Sequence, residues 1–288
     1  MDFSQQNLVA VAIGNTRTRV GLFKGKELTD PSSILTSDPT AVASAVGKLL
    51  ENVHDAVIVI SSVTPEAANT IERKLNALDT AADVYRIGKD LTIPLDHALD
   101  DASTLGQDRA LCALAAYGKA GQACVVIDAG TAITIDFVDG EGTFQGGAIL
   151  PGLNMMLTAL NQHTAALPKI DWSKPDPARG EFGKDTRHAM ILGTRAAAIG
   201  AARYLIERYA TAYDAYPQII ATGGDAPALF EDDEIIEHIV PDLQLVGIYE
   251  TCKRIVADGD TEEFRPESRT GPGGFSEEKA ADDSDDDL

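Results

Sequence analysis

Cysteine is scarce in this chain: three in 288 residues, Cys112, Cys124 and Cys252, far apart in the sequence. An odd number without metal-type spacing excludes a disulfide framework or a cysteine-rich zinc site, and predicts reduced thiols buried as small hydrophobes. Positive charge is short too, with 24 Lys and Arg against 45 Asp and Glu and a formal charge of −21. Such a chain has no basic face for DNA or RNA, and an anionic bilayer would repel it. No apolar run approaches the roughly 18 residues that a membrane span needs. The opening MDFSQQNLVA lacks the basic region and apolar length of a secretion signal. These absences predict a cytoplasmic location without nucleic-acid or membrane partners. Neither G-x-G-x-x-G between strand and helix nor G-x-x-x-x-G-K-[ST] occurs, which removes the Rossmann and P-loop architectures.

What is present is a core-forming composition, 44% hydrophobic, enough for one large domain or two ordinary ones. The acidity is uneven. Residues 257–288 hold 12 acidic and 3 basic residues, include GPGG and close on DDSDDDL. That segment cannot bury enough apolar surface to offset its ordering entropy, so it reads as a disordered acidic tail for solubility or interaction. Before it, strands and helices alternate, an α/β pattern. Strands are expected at Leu8–Ile13, Arg19–Phe23, Ala56–Ser61 and Val84–Ile87, with helices at Pro39–Asn52 and Pro65–Leu78. Ser103 or Thr104 should cap a helix running to about Tyr117. The second half repeats the plan. Strands are expected at Cys124–Asp128, Ala132–Val138, Thr143–Ile149, Gln218–Ala221 and Leu243–Leu245. Helices are expected at Pro151–Leu160, Thr186–Tyr209, Pro227–Phe230 and Val246–Val256, with a loop over Pro168–Lys184. This divides the chain into subdomains at 1–122 and 123–256, plus the tail at 257–288.

The two halves share one feature. VAVAIGNTRTRVGLF and CVVIDAGTAITIDFV align Gly14 with Gly130, about 116 residues apart. Each glycine follows one apolar run and precedes another, the mark of strand, tight turn and returning strand. Glycine lets backbone N–H groups approach an anion, and Asn15, Thr16 and Thr131 add neutral donors. Alone, each turn is equally an ordinary hairpin; together they point to phosphate. Asp128 ends an apolar strand, where an unpaired carboxylate is costly, so either a cation or local amides satisfy it. In Gly106-Gln107-Asp108-Arg109, Asp108 suits a helix N-terminus electrostatically or serves as a base for an alcohol proton. Arg109 pairs with a surface acid or with a substrate carboxylate. Thr222-Gly223-Gly224-Asp225 is a plain strand-to-helix turn or a surface for adenine and ribose.

Taken in order, IGNT at Ile13, SSVTP at Ser61, GQDR at Gly106, DAGTAIT at Asp128, GGAILPGL at Gly146, LPKID at Leu167, GKDT at Gly183 and TGGD at Thr222 form a set. With it the chain resembles type III pantothenate kinases, actin-like enzymes that begin coenzyme A synthesis, from Leu8 to about Val256. The resemblance implies duplicated ribonuclease-H-like domains with an ATP cleft between them. It implies that Asp108 is the general base on the pantothenate hydroxyl. Gly106, Gln107 and Arg109 would line the pantothenate site, with Leu99 on its wall. Thr186 would reach pantothenate across a homodimer interface. Ala12, Ile13, Gly14, Asn15, Thr16, Arg17, Thr18 and Arg19, with Thr131, Gly223 and Gly224, would surround Mg²⁺-ATP. Asp128 would bind a monovalent cation, K⁺ or NH₄⁺. The helix from Thr186 carries Gly193, Ala197, Gly200 and Ala201, small residues suited to packing within or between subunits.

Two positions depart from the family pattern. Ala12 replaces an acid two residues before the first glycine, which helps organise Mg²⁺ and the transferred phosphate. Losing it implies a barrier penalty of roughly 2–4 kcal/mol, on the order of 10²–10³ in rate, and Ala12→Asp should raise the rate. Leu99 replaces a substrate-contacting Tyr. Two rivals follow: a silent relative that binds nucleotide or pantothenate in a regulatory role, and another actin-like phosphotransferase or polyphosphate-type hydrolase acting elsewhere.

Overall fold

A strand buried on both faces reads as an unbroken apolar run, and NLVAVAI makes such a strand. The computed structural model describes residues 7–80 and 82–257. Its first half runs β1 (Asn7–Ile13), β2 (Arg17–Lys24), β3 (Glu27–Leu35), α1 (Pro39–Leu50), β4 (Ala56–Ser62), α2 (Pro65–Leu75), β5 (Asp83–Arg86) and α3 (Gln107–Ala120). The second runs β6 (Cys124–Ala129), β7 (Ala132–Val138), β8 (Phe144–Pro151), α4 (Leu153–Gln162), α5 (Thr186–Tyr213), β9 (Gln218–Thr222), α6 (Ala226–Phe230), β10 (His238–Ile239) and α7 (Leu243–Ala257). The sheets have orders β3-β2-β1-β4-β5 and β10-β9-β6-β7-β8. Read from opposite ends they are one topology made twice, each with two antiparallel hairpin contacts and two parallel pairings.

Alternation along β1 sorts its side chains. Val9, Val11 and Ile13 pack with Val42, Val46, Ala68 and Ile71 of α1 and α2. Leu8, Ala10 and Ala12 face Leu245, Ile248 and Tyr249 of α7. In the second sheet Val125 and Ile127 meet Ala198, Ala202 and Ile206 of α5, while Cys124 and Val126 face Cys112, Ala113 and Ala116 of α3. Helices α3 and α7 therefore lie between the sheets. They cross closely because Gly247 has no side chain: a Cβ there would strike the Leu111 carbonyl of α3. All three cysteines are buried and unpaired. Burial pushes the Cys124 and Cys252 thiols up to about 12.

Several elements differ from the sequence expectation. Ser103 and Thr104 do not cap α3; they lie in a 3₁₀ turn, Ala102–Thr104, where Asp101 accepts from the Ser103 N–H, and Gly106 is the helix N-cap. Leu243–Leu245 is the first turn of α7 rather than a strand. Strands β3 and β10 were not expected. β8 runs through Pro151, and α4 starts at Leu153 after the N-cap Gly152. Ala257 closes α7, and the remainder of the acidic tail lies outside the described residues. Among those residues one helix, α5, is long and apolar enough by composition to cross a membrane.

Candidate active site

In the first turn the Gly14 N–H donates to the Arg17 carbonyl at 3.0 Å, and a Cβ on Gly14 would lie 2.9 Å from that oxygen. Thr36 donates to the Gly14 carbonyl at 2.9 Å and shares a 3.0 Å hydrogen bond with the buried Thr18. Thr64, after β4, donates to the Asn15 side chain at 3.2 Å. The second turn is braced from below: the Gly152 N–H donates to the Thr131 carbonyl at 3.1 Å and the Asp225 N–H to the Ala129 carbonyl at 3.0 Å. Gly223, at φ +92°, passes so close to Ala129 and Asp128 that no side chain would fit. Thr16 and Thr131, 115 positions apart, share a hydrogen bond at 3.0 Å. The turns therefore face each other, with Asn15, Thr16 and Thr131 exposed at their tips.

Below them lies an excess of carboxylate. Asp128 is the penultimate residue of β6, and burial together with Asp108 and Asp136 pushes its pKa up to about 7. Asp108 occupies the first turn of α3, next to the positive helix end. Gln107 fixes that helix start: its side chain accepts from the Ser62 N–H at 3.1 Å and donates to the Ile87 carbonyl at 3.0 Å. Arg109 donates through Nε and Nη2 to both oxygens of Asp136, at 3.1, 3.2 and 2.5 Å, and lies over the Phe144 ring at 5.4 Å. Burial raises the Asp136 pKa, while Arg109 works in the opposite direction. One edge of Arg109 is thus committed to β7. Three acids facing one arginine suit a cation at Asp128. Among the described residues no three ligating side chains are grouped to hold a metal.

The other expected site residues are scattered more widely. Ile13 and Ala12 are buried in the two cores. Arg17 donates to Ser33 of β3 at 2.7 Å, and Arg19 pairs with Asp242, the residue before α7. Leu99 packs with Phe144 and Leu105, and a Cβ on Gly146 would lie 3.3 Å from it. Gly224 is exposed beside Gly223. Thr186 is exposed at the start of α5, behind Asp185, which accepts from the His188 N–H at 2.8 Å and pairs with Arg179. Among the described residues it forms no hydrogen bond to Gly106–Arg109. Asp136 and Asp242, which pair with Arg109 and Arg19, were not singled out from the sequence, and Ser61 and Thr64 entered only within the motif SSVTP. Asp136 carried a usable signal, a lone acid inside the apolar run ITIDFV. Asp242 carried none, since its partner is 223 positions away.

Residues 8–208 match the family model described as type III pantothenate kinase. A type III pantothenate kinase of Rubrobacter xylanophilus is 33% identical over 254 residues, 84% of this chain and 95% of its own length. One of Fervidobacterium nodosum is 32% identical over 249 residues, with 84% and 95% covered. Among solved structures, component A of the Acidaminococcus fermentans (R)-2-hydroxyglutaryl-CoA dehydratase superposes with a TM-score of 0.50 at 15% identity, covering 86% of this chain and 97% of that one. That likeness concerns the fold, the duplicated actin-like plan.

Proposed function

The chain belongs to the type III pantothenate kinase family, and we propose that it moves the γ-phosphate of ATP to the primary alcohol of pantothenate, giving 4′-phosphopantothenate. The observation that carries the reading is the Thr16–Thr131 hydrogen bond. It joins two glycine turns into one cradle beside the start of α3, where Asp108 lies.

Phosphoryl transfer asks a protein mainly for positioning and charge. Backbone N–H groups and the Asn15, Thr16 and Thr131 side chains hold the phosphates. The Gly223–Gly224 turn lies against the base and ribose. Gln107 fixes the first turn of α3, so Asp108 is held toward the acceptor alcohol. Asp108 takes the hydroxyl proton as the alcohol oxygen bonds to the γ-phosphorus and ADP leaves with the bridging oxygen. Arg109 offers its free edge to the pantothenate carboxylate, and Leu99 closes an apolar wall. Asp128 is the group that would hold K⁺ or NH₄⁺, whose charge offsets that of the phosphates when bound. Mg²⁺ would be held chiefly by ATP and water, in keeping with that ion's retained hydration shell. Thr186, exposed in one subunit, contacts the substrate of a second in a homodimer. The setting is cytoplasmic.

A coupled ADP-release assay with pantothenate, Mg²⁺ and potassium tests the reading. Turnover should stand well above that of Asp108→Asn. Binding of ATP without turnover above that variant would overturn it in favour of a silent nucleotide-binding relative. A thermal-shift response to another acid or a sugar, with none to pantothenate, would overturn the substrate assignment.

A further inference from the structure

Strand register sets three side chains in a row on the face of the first sheet that α7 covers. Ala12 of β1 lies opposite Arg19 of β2 and beside Ser61 of β4. The corresponding row in the second sheet is Asp128, flanked by Thr134 and Thr222. One row is centred on a carboxylate, the other on a methyl group. Beside that methyl, Ser61 is fully buried and its hydroxyl has no hydrogen-bond partner among the described residues.

Arg19 takes its carboxylate from another element. Asp242 pairs with its guanidinium; the acid is sealed, at 6% exposure, while the arginine side chain keeps 39%. Packing fixes this meeting. On β2, Gly21 lies against Leu245 of α7, whose Cδ1 would be 3.2 Å from a Cβ there. One strand step nearer the turn lies Arg19, and one helical step nearer the start of α7 lies Asp242. Asp242 has φ 60°, a left-handed conformation that persists in a non-glycine residue when its surroundings determine it. The second half makes a similar clasp with charges exchanged, Arg109 on the helix and Asp136 on the strand.

We propose that Asp242 is the positioning residue for Arg19, supplying from the start of α7 the carboxylate that β1 lacks at Ala12, and that it aims Arg19 at the phosphates of a nucleotide lying across the two turns. The proposal rests on the kinase reading above. A guanidinium anchored on one edge presents its other edge to a phosphate oxygen, and an anchored side chain gives up less rotamer freedom when the ligand arrives.

The test is a cycle built on Asp242→Asn, which keeps the shape and tolerates the backbone. Nucleotide affinity is titrated without pantothenate, and KM for both substrates, kcat and Tm are measured. Asp242→Asn should weaken nucleotide binding and raise KM for ATP about 10-fold, the scale of one charged hydrogen bond, leaving KM for pantothenate unchanged. Arg19→Met should lose the same affinity and then be insensitive to Asp242→Asn. Adding Ala12→Asp to Asp242→Asn should restore most of the affinity, since the new carboxylate faces Arg19 across the strand pair. Asp233→Asn, which unseals a comparable acid paired with Arg203, controls for lost stability. The proposal is overturned if Asp242→Asn lowers Tm as that control does while nucleotide affinity holds, or if Ala12→Asp gives no rescue. Failure of the kinase reading is separate: the wild type would not phosphorylate pantothenate, whereas the titration still reports on Asp242.

Discussion

A carboxyl group at the end of an apolar strand, with two other acids nearby, resists ionising. Asp128 is held near pKa 7 by burial first and by Asp108 and Asp136 second. Its ordinary value is 3.8, so the unfolded chain releases this proton first. Between those values the folded state binds more protons, and its stability falls as pH rises. The loss is on the order of a few kcal/mol. Without potassium, Tm should therefore decline from about pH 4 to about pH 7, and Asp128→Asn should flatten the decline. Potassium or ammonium should restore Tm at the upper end for the native chain and not for Asp128→Asn; differential scanning fluorimetry checks both. Asp108 carries a different expectation. Asp108→Asn should reduce kcat about 10²–10⁴-fold, the range for losing a general base, with nucleotide affinity unchanged by titration. Both aspartates drew attention in the sequence because each stands in a short local pattern. Asp136 went unread though the argument applied to Asp128, a lone acid in an apolar strand, applies to it equally. Asp242 was illegible for a physical reason: the fold alone brings it to Arg19.

Helices α3 and α7 hold Asp108 and Asp242 in place, and their crossing depends on one missing side chain. Gly247 meets the Leu111 carbonyl, and backbone cannot rotate aside as a side chain can. Gly247→Ala should cost about 1–3 kcal/mol through overpacking, a Tm loss of roughly 2–4 °C for each kcal/mol, and should lower kcat by displacing the start of α3. Gly118, also on α3, has nothing within 4 Å of where a Cβ would stand. Gly118→Ala should stabilise by roughly 0.5–1 kcal/mol from helix propensity. Two identical substitutions of opposite sign, read by thermal melts, separate packing from propensity. The same contrast explains which elements the sequence disclosed. Apolar runs bounded by glycine turns gave β1, β2, β6 and β7 nearly to their ends, and these are the strands that make the cradle. Edge strand β3 hid because Glu27–Leu35 is polar on both faces and contains Pro31. β10 has two residues, too few to show a period. Leu243-Gln244-Leu245 alternates like a strand, yet burial of Gly247, Ile248, Thr251 and Cys252 further along makes it the first turn of one helix.

Helix α5 has 28 residues and buries one stripe, including Met190, Ile191, Thr194, Ala198, Ala202 and Ile206. Its opposite stripe, with Gly193, Ala197, Gly200 and Tyr204, is exposed, and Gly193 and Gly200 have nothing near a Cβ position. Ile149 of β8 and Met155 of α4 are also open to solvent, at 64% and 46%. Small residues on an apolar face allow two helix backbones to approach, and a second copy related by a two-fold axis is the common solution. Light scattering should give a dimer, and Gly200→Glu should give a monomer. If Thr186 completes its partner's pocket, that monomer loses pantothenate turnover although Asp108 and both turns are intact. A mixing experiment isolates the point. Asp108→Asn and Thr186→Ala subunits should each be impaired as pure dimers. Co-expressed, they assort so that about half of the dimers are mixed, each with one complete site, which predicts roughly a quarter of wild-type turnover. Recovery to that level, assayed at low pantothenate, requires Thr186 to act across the interface. No recovery in dimers shown to be mixed would place its action within its own subunit.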